Sequence, residues 1–154
     1  MIYKAPFMAM QKALYSVLKT NPAVALEWFD SSVPIEEIYN KFKTQAEFAY
    51  GIFGESSADC KPNKTAIVWE GSLGLEIYSN YKGRKIVAQK LEAVLNYLSS
   101  DTGFAALSKA LSTEGYVLVS LTVGALHINL PMYGNNGVWQ SGATGLSFQL
   151  HQLV

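Results

Sequence analysis

The chain has 154 residues, the size of one ordinary domain, and its 49% apolar content excludes disorder along the whole length. Twelve basic and twelve acidic residues cancel, which leaves no broad positive field for nucleic acid. No apolar run reaches the ~20 residues of a membrane-spanning helix.

The first element expected is an amphipathic helix over 6–19, with Phe7, Met10, Leu14 and Val17 or Leu18 at three- and four-residue steps. Pro6 suits its first turn, and Asn21-Pro22 ends it. Lys4 and Lys12 with no small-residue cleavage site argue against a secretory signal in this segment. Residues 23–47 are the least regular. Ala23 to Phe29 suggests a helical turn, and Pro34 with Glu36 and Glu37 suggests a second helix start, with Ile35, Ile38, Tyr39 and Phe42 on one face. Phe48 to Phe53 reads as a short aromatic strand, and Glu55 to Asn63 as a polar, turn-rich loop.

Thr65 to Ser79 carries the clearest strand pattern. Ile67, Trp69, Leu73, Leu75 and Ile77 face one way, and Gly71 and Gly74 suggest a bulge or bend. A turn at 81–83 leads to a strong helix over 84–99, whose stripe is Val87, Leu91, Val94, Leu95 and Leu98. A shorter helix over 102–112 follows, with Asp101 or Thr102 as its cap. Tyr116 to Leu130 is strand-like, with Val117, Val119, Leu121 and Val123 as its apolar set and a bulge expected at Gly124. Residues 131–137 form a hairpin loop, and the last strand covers about 145–153. This order predicts one α+β domain over 1–154: a mainly antiparallel or mixed four-stranded sheet with two main helices on one face. The expected core joins Leu14, Trp69, Leu75, Ile77, Leu91, Leu95 and Val119.

Charge is distributed unevenly. Glu114 is the last charged residue, and the forty residues 115–154 contain no Asp, Glu, Lys or Arg. Such a segment is hard to keep soluble as free surface, so part of it is expected to be buried in the fold or against another subunit.

Candidates for chemistry are few. The one cysteine, Cys60, excludes an internal disulfide and a Cys-based zinc site, and makes a reducing cytoplasm the natural first compartment. Between Asp59 and Lys61 it reads as an exposed thiol rather than a nucleophile. His127 and His151 sit in the uncharged segment, each offset from the apolar set of its strand, and read as sheet-face histidines before they read as a ligand or a base. No nucleophile, base and acid can be assembled, so neither catalytic residues nor cofactor or metal sites are assigned. The basic turn Lys82, Gly83, Arg84, Lys85 lies at a helix start, where the macrodipole disfavours it. It is either a solvated turn or a contact for phosphate or an acidic partner. The loop 131–137 with Tyr133 and Trp139 is either a plain hairpin or a binding loop.

One stretch resembles a known family. The strand ending Leu75-Glu76-Ile77-Tyr78-Ser79, the turn Asn80-Tyr81-Lys82-Gly83-Arg84-Lys85 and the long helix after it are similar to phage tail-completion proteins. These are the tail terminators of long-tailed, siphovirus-like phages and prophages. The N-terminal helix with Met10–Lys19 and the short strand Phe48–Gly54 match the family's element order, whereas 23–47 and 101–112 are longer than its pattern.

The resemblance implies a structural protein without catalytic work. It would form a ring, commonly hexameric, on the end of the tail tube, stop tube polymerisation and present a surface for head–tail joining. Its implied partners are other copies of itself, the tail tube protein and the head–tail connector protein. Neither a specific nucleic acid nor a membrane is implied. The implied location is the tail–neck end of the virion, after assembly in the host cytoplasm. A head–tail connector or other neck component, a small-molecule-binding α+β domain and an enzyme are the alternatives. Expected interface residues are Lys82, Arg84, Lys85, Tyr133, Asn135, Asn136 and Trp139, with Glu36 and Glu37 as acidic partners for the basic turn.

Overall fold

A computed structural model describes residues 2–62, 65–134 and 137–153. The first helix, α1 (Phe7–Lys19), buries Met10, Ala13, Leu14, Val17 and Leu18, as its spacing requires, but leaves Phe7 exposed. After it the Asn21 side-chain oxygen accepts hydrogen bonds from the backbone N–H groups of Ala23 and Val24. Ala25 then takes a left-handed φ of 44°, which prevents the helical turn expected over 23–29. The chain enters a strand instead, β1 (Glu27–Asp30), and then α2 (Ile35–Phe42), started at Pro34.

Two long strands follow, β2 (Ala49–Pro62) and β3 (Ile67–Ser79). The polar stretch expected as a loop is therefore most of β2. Its alternation is hidden because this half of β2 pairs with β3 alone and shows one flank to solvent. The irregularity expected at Gly71 or Gly74 lies in β2. Phe53 pairs with Leu75 and Ser56 with Leu73, so Gly54 and Glu55 stand opposite one residue of β3.

Next come α3 (Lys85–Leu98) and α4 (Asp101–Thr113). The cap of α4 is Ser100, whose hydroxyl accepts from Gly103 N–H at 3.0 Å, rather than Asp101 or Thr102. Gly103 is required at this corner, because a Cβ there would run into the Tyr97 carbonyl.

The chain closes with β4 (Tyr116–Val123), β5 (His127–Ile128), β6 (Met132–Gly134) and β7 (Gly137–Gln152). The described residues thus hold four helices and a seven-stranded sheet, more than the two main helices and four strands expected, though the α+β class stands. The order is β1-β2-β3-β7-β4, with β5 and β6 also paired to β7. Pairing is antiparallel except for β1 with β2, so the sheet is mixed. β7 begins well before residue 145 and serves as the spine, pairing with β3 on one side and β4, β5 and β6 in turn on the other.

Three helices, α1, α3 and α4, cover one face over a core that includes Leu14, Trp69, Leu75, Ile77, Leu91, Leu107, Leu111 and Leu146. Two expected core members depart. Leu95 is only partly buried, and Val119 is 44% exposed. The cause is a bulge in β4: Leu118 pairs with Leu150 and Ser120 with Gln149, leaving Val119 extra. Tyr116 and Leu118 point inward before it, and Leu121 and Val123 pack on the core after it. The face change thus falls five residues ahead of Gly124.

The opposite face has its own smaller core of Ile38, Phe48, Tyr50 and Ile52, capped by α2. The segment 23–47, irregular in sequence, therefore supplies an edge strand and the lid of this second face.

Candidate functional site

Alternation along β2 sends Ala49 and Phe53 to the three-helix face and Phe48, Tyr50 and Ile52 to the other. On that second face the aromatic rings of separate segments meet. Tyr50 stacks on Tyr78 of β3 with centroids 5.4 Å apart, and on Phe42 of α2 at 6.2 Å. Trp139 of β7 meets Phe48 edge-on at 5.4 Å and Tyr50 at 6.2 Å. Such pairs add ~0.5–1.5 kcal/mol each beyond their buried area.

The cluster is not fully covered. Between α2 and the β6–β7 hairpin a groove of about 230 Å³ remains, lined by Ile35, Tyr39, Tyr50, Tyr78, Met132, Tyr133, Gly134 and Trp139. Ile35 is 64% exposed and Tyr133 is 81% exposed, and Met132 and Val138 are exposed beside them. Burial pushes the Tyr50 phenol up to about 12, with Tyr78 adding to the shift. The Tyr78 phenol is raised by burial and by the neighbouring Glu76 carboxylate. Both phenols are therefore neutral at ordinary pH, and the groove floor carries no charge.

The expected site residues divide. Tyr133 and Trp139 line the groove, from β6 and β7 of a true hairpin in which Met132 pairs with Trp139 and Tyr133 with Val138. Asn135 and Asn136 lie outside the described residues. Lys82, Arg84 and Lys85 are exposed between β3 and the start of α3, with Arg84 at the N-cap and Lys85 the first helical residue. Ser79, at the end of β3, pairs with both Ala49 and Gln140, so the basic turn and the groove share one end of the sheet. Glu36 and Glu37, in the first turn of α2, lie at that end too. Among the described residues no ion pair joins them to the turn. The groove residues that sequence reading missed are Ile35, Tyr39, Tyr50 and Tyr78. They come from three segments that only tertiary packing brings together, and the aromatic density of 48–53 was their one signal.

The reactive side chains stay apart. Cys60 lies in β2, not in a loop, and is partly buried on the three-helix face, opposite Trp69. His151 pairs with Val68 and Val117, one register step away, and so points to the other face. His127 is exposed in β5, paired to Ala143 far along β7 from His151. The Asp59 carboxylate beside Cys60 is engaged by Lys61 at 3.2 Å. Among the described residues no group of three or more His, Cys, Asp or Glu is placed to hold a metal ion. No described helix is long and apolar enough to cross a membrane.

No protein-family model matches the sequence, and no curated protein matches it. Solved structures do. One match is a chain of a structure described as the virion of a native gene transfer agent (GTA) particle, at 14% sequence identity and a TM-score of 0.55. The match covers 97% of this chain and 99% of that one. At this identity the likeness concerns the fold, and it spans nearly the whole of both chains.

Proposed function

We propose that the chain is a structural protein of a phage-like particle, and more narrowly a tail terminator that caps the tail tube as a ring, halts its growth and offers the surface for head–tail joining. The observation that carries the reading is the end-to-end fold similarity to a chain of a GTA virion. The element order around Leu75–Lys85 favours the terminator role within that class, and the uncharged, aromatic-lined groove supports a chain built for contact with other protein surfaces. The proposal includes no catalytic role. Cys60, His127 and His151 act as structural or surface residues, and replacing Cys60 or His127 by Ala leaves the function unchanged. A head–tail connector is the second reading, because the fold likeness does not separate one virion component from another. The aromatic groove itself gives the small-molecule reading no support, because its 230 Å³ is below the ~300–1,000 Å³ of sites that enclose such ligands.

The test is removal of the gene from the phage or prophage that carries it, with particles inspected by negative-stain electron microscopy. Overlong tails without heads, corrected by supplying the chain in trans, are expected. Normal tails beside unjoined heads would favour the connector. Normal, joined particles would overturn both readings.

A further inference from the structure

A second cleft lies on the three-helix side of the sheet, between α1 and the edge strand β1. Met8, Lys12 and Tyr15 of α1, Trp28 of β1 and Phe53 of β2 wall it, and Gln11 and Asp30 stand together in it. Its volume is about 340 Å³, inside the ~300–1,000 Å³ of ligand pockets. It shares no lining residue with the aromatic groove.

Two polar groups in this cleft await a partner. Trp28 is only 3% exposed, and among the described residues its buried indole Nε1 has no hydrogen-bond acceptor. A buried donor without an acceptor is costly, and native structures leave few of them. The Cδ2, Cε3 and Cζ3 atoms of the ring lie over Gly51 of β2. Nε1, on the opposite edge of the indole, is therefore turned away from β2. Asp30 follows two residues later on the same face of β1, roughly 6–7 Å along the strand. Its Oδ2 accepts from Gln11 Nε2 at 2.7 Å, and its Oδ1 accepts the Ser32 N–H at 2.8 Å. The Gln11 bond first, and the Ser32 bonds after it, hold the Asp30 carboxyl below its ordinary value. They orient the carboxylate without neutralising it. Among the described residues no cation forms an ion pair with Asp30. Neither nearby lysine supplies one: the Lys12 ammonium is 2.9 Å from Glu114, and Lys19 donates to the Tyr15 hydroxyl at 2.9 Å.

We propose that this cleft captures the N-terminal residue of another protein chain, where that residue is apolar. Its α-ammonium meets the Asp30 carboxylate, its carbonyl accepts from Trp28 Nε1, and its side chain enters between Met8, Tyr15 and Phe53. Met8 is 65% exposed and unbranched, so it can repack around the entering side chain. The occupant follows from charge and hydrogen-bond complementarity. A lysine side chain would answer Asp30 and leave Trp28 without an acceptor. A neutral internal segment would answer Trp28 and leave the carboxylate unpaired. A chain start carries cation and acceptor within one residue, and capture of chain ends is an established mode of peptide recognition. A free amino acid carries both as well, but brings its own carboxylate close to that of Asp30. The inference goes beyond the terminator reading and does not depend on it, because the cleft lies on the opposite face from the groove.

Leucinamide reproduces an apolar chain start, and the Trp28 indole N–H resonance in a ¹⁵N NMR titration reports its binding. At about pH 6.5 the probe is protonated, since an α-amino group ordinarily titrates near 7.7–8.0. Leucinamide should bind with a Kd on the order of 1 mM and shift the Trp28 indole signal. N-acetylleucinamide keeps the carbonyl and the side chain but lacks the cation, and should bind at least ~10-fold more weakly. Asp30→Asn, which keeps the acceptor for Ser32, should weaken leucinamide binding by a similar factor. Free leucine should bind more weakly than leucinamide. An indole signal unmoved at ~10 mM leucinamide, equal binding of the acetylated probe, or undiminished binding by Asp30→Asn would overturn the proposal. Leucine binding more tightly than leucinamide would overturn it too, by making the occupant a free amino acid. The comparison of probes uses the wild-type chain, so it decides the matter even if Asp30→Asn does not fold.

Discussion

On one side of the sheet Leu14, Leu75, Ile77, Leu107, Leu111 and Leu146 are fully buried under three helices, whereas on the other Tyr133 is 81% exposed over a cluster of rings that α2 covers only in part. The first face is mostly aliphatic, with Trp28, Phe53, Trp69, Tyr116 and Phe148 buried among the aliphatic side chains, and it is closed. The second is aromatic and left open along the β6–β7 hairpin. The contrast separates two tasks on one sheet. Aliphatic side chains interdigitate at crystal-like density and supply stability, while amphipathic rings at an opening supply contact area for a partner.

The largest effect should come from emptying the closed face. Leu91→Ala, under α3, should cost about 2–5 kcal/mol in urea melts; a loss below ~1 kcal/mol would show that the helix side is not the stabilising one. Next is crowding at the edge of the same face. A Cβ on Gly51 would run into the Trp28 indole ring, which itself stacks on Phe53 with centroids 5.3 Å apart. Gly51→Ala should therefore cost about 1–3 kcal/mol and raise Trp28 fluorescence mobility; a neutral outcome would mean that β1 gives way freely.

The third prediction concerns pH on the second face. The Tyr50 phenol, ordinarily near 10, stands at about 12 in the folded chain. A raised phenol binds its proton more tightly when folded, so its stabilising contribution is complete below pH 10 and is lost as pH rises toward 12. Stability should fall across that window, and Tyr50→Phe should make the fall shallower. An identical alkaline profile in the variant would place Tyr50 in water. The smallest effect on stability belongs to the open face. Tyr133→Asp should change the unfolding free energy by no more than about 0.5 kcal/mol.

Legibility followed the same divide. α1, α3 and β3 were readable because a closed aliphatic face imposes a clean three-and-a-half or two-residue period on Leu14, Leu91 and Leu75. The distal half of β2 was not, because Glu55, Ser56, Ser57 and Asp59 lie on a strand paired on one side only and have little to bury. β1 was missed for its length: four residues, paired parallel to β2, carry no period. In β4 Val117 and Val119 turned out exposed while Leu121 and Val123 of the same apolar set pack on the core, because the bulge falls at Val119, a residue type with no bulge signature. Half of the groove was foreseeable, since an uncharged hairpin with Tyr133 and Trp139 invites contact. Tyr39, Tyr50 and Tyr78 were not, because nothing local links 39, 50 and 78 until the sheet assembles. Trp139 packs on Phe48 and Tyr50, so Trp139→Asp would damage the second core as well as the surface.

The central claim is that the open aromatic face serves assembly rather than stability, and Tyr133→Asp in assembling particles tests it most directly. Electron microscopy of particles made with this variant should show overlong tails lacking heads, from a protein whose melt and circular dichroism match the wild type. Normal-length, head-joined tails from the same variant would contradict the claim.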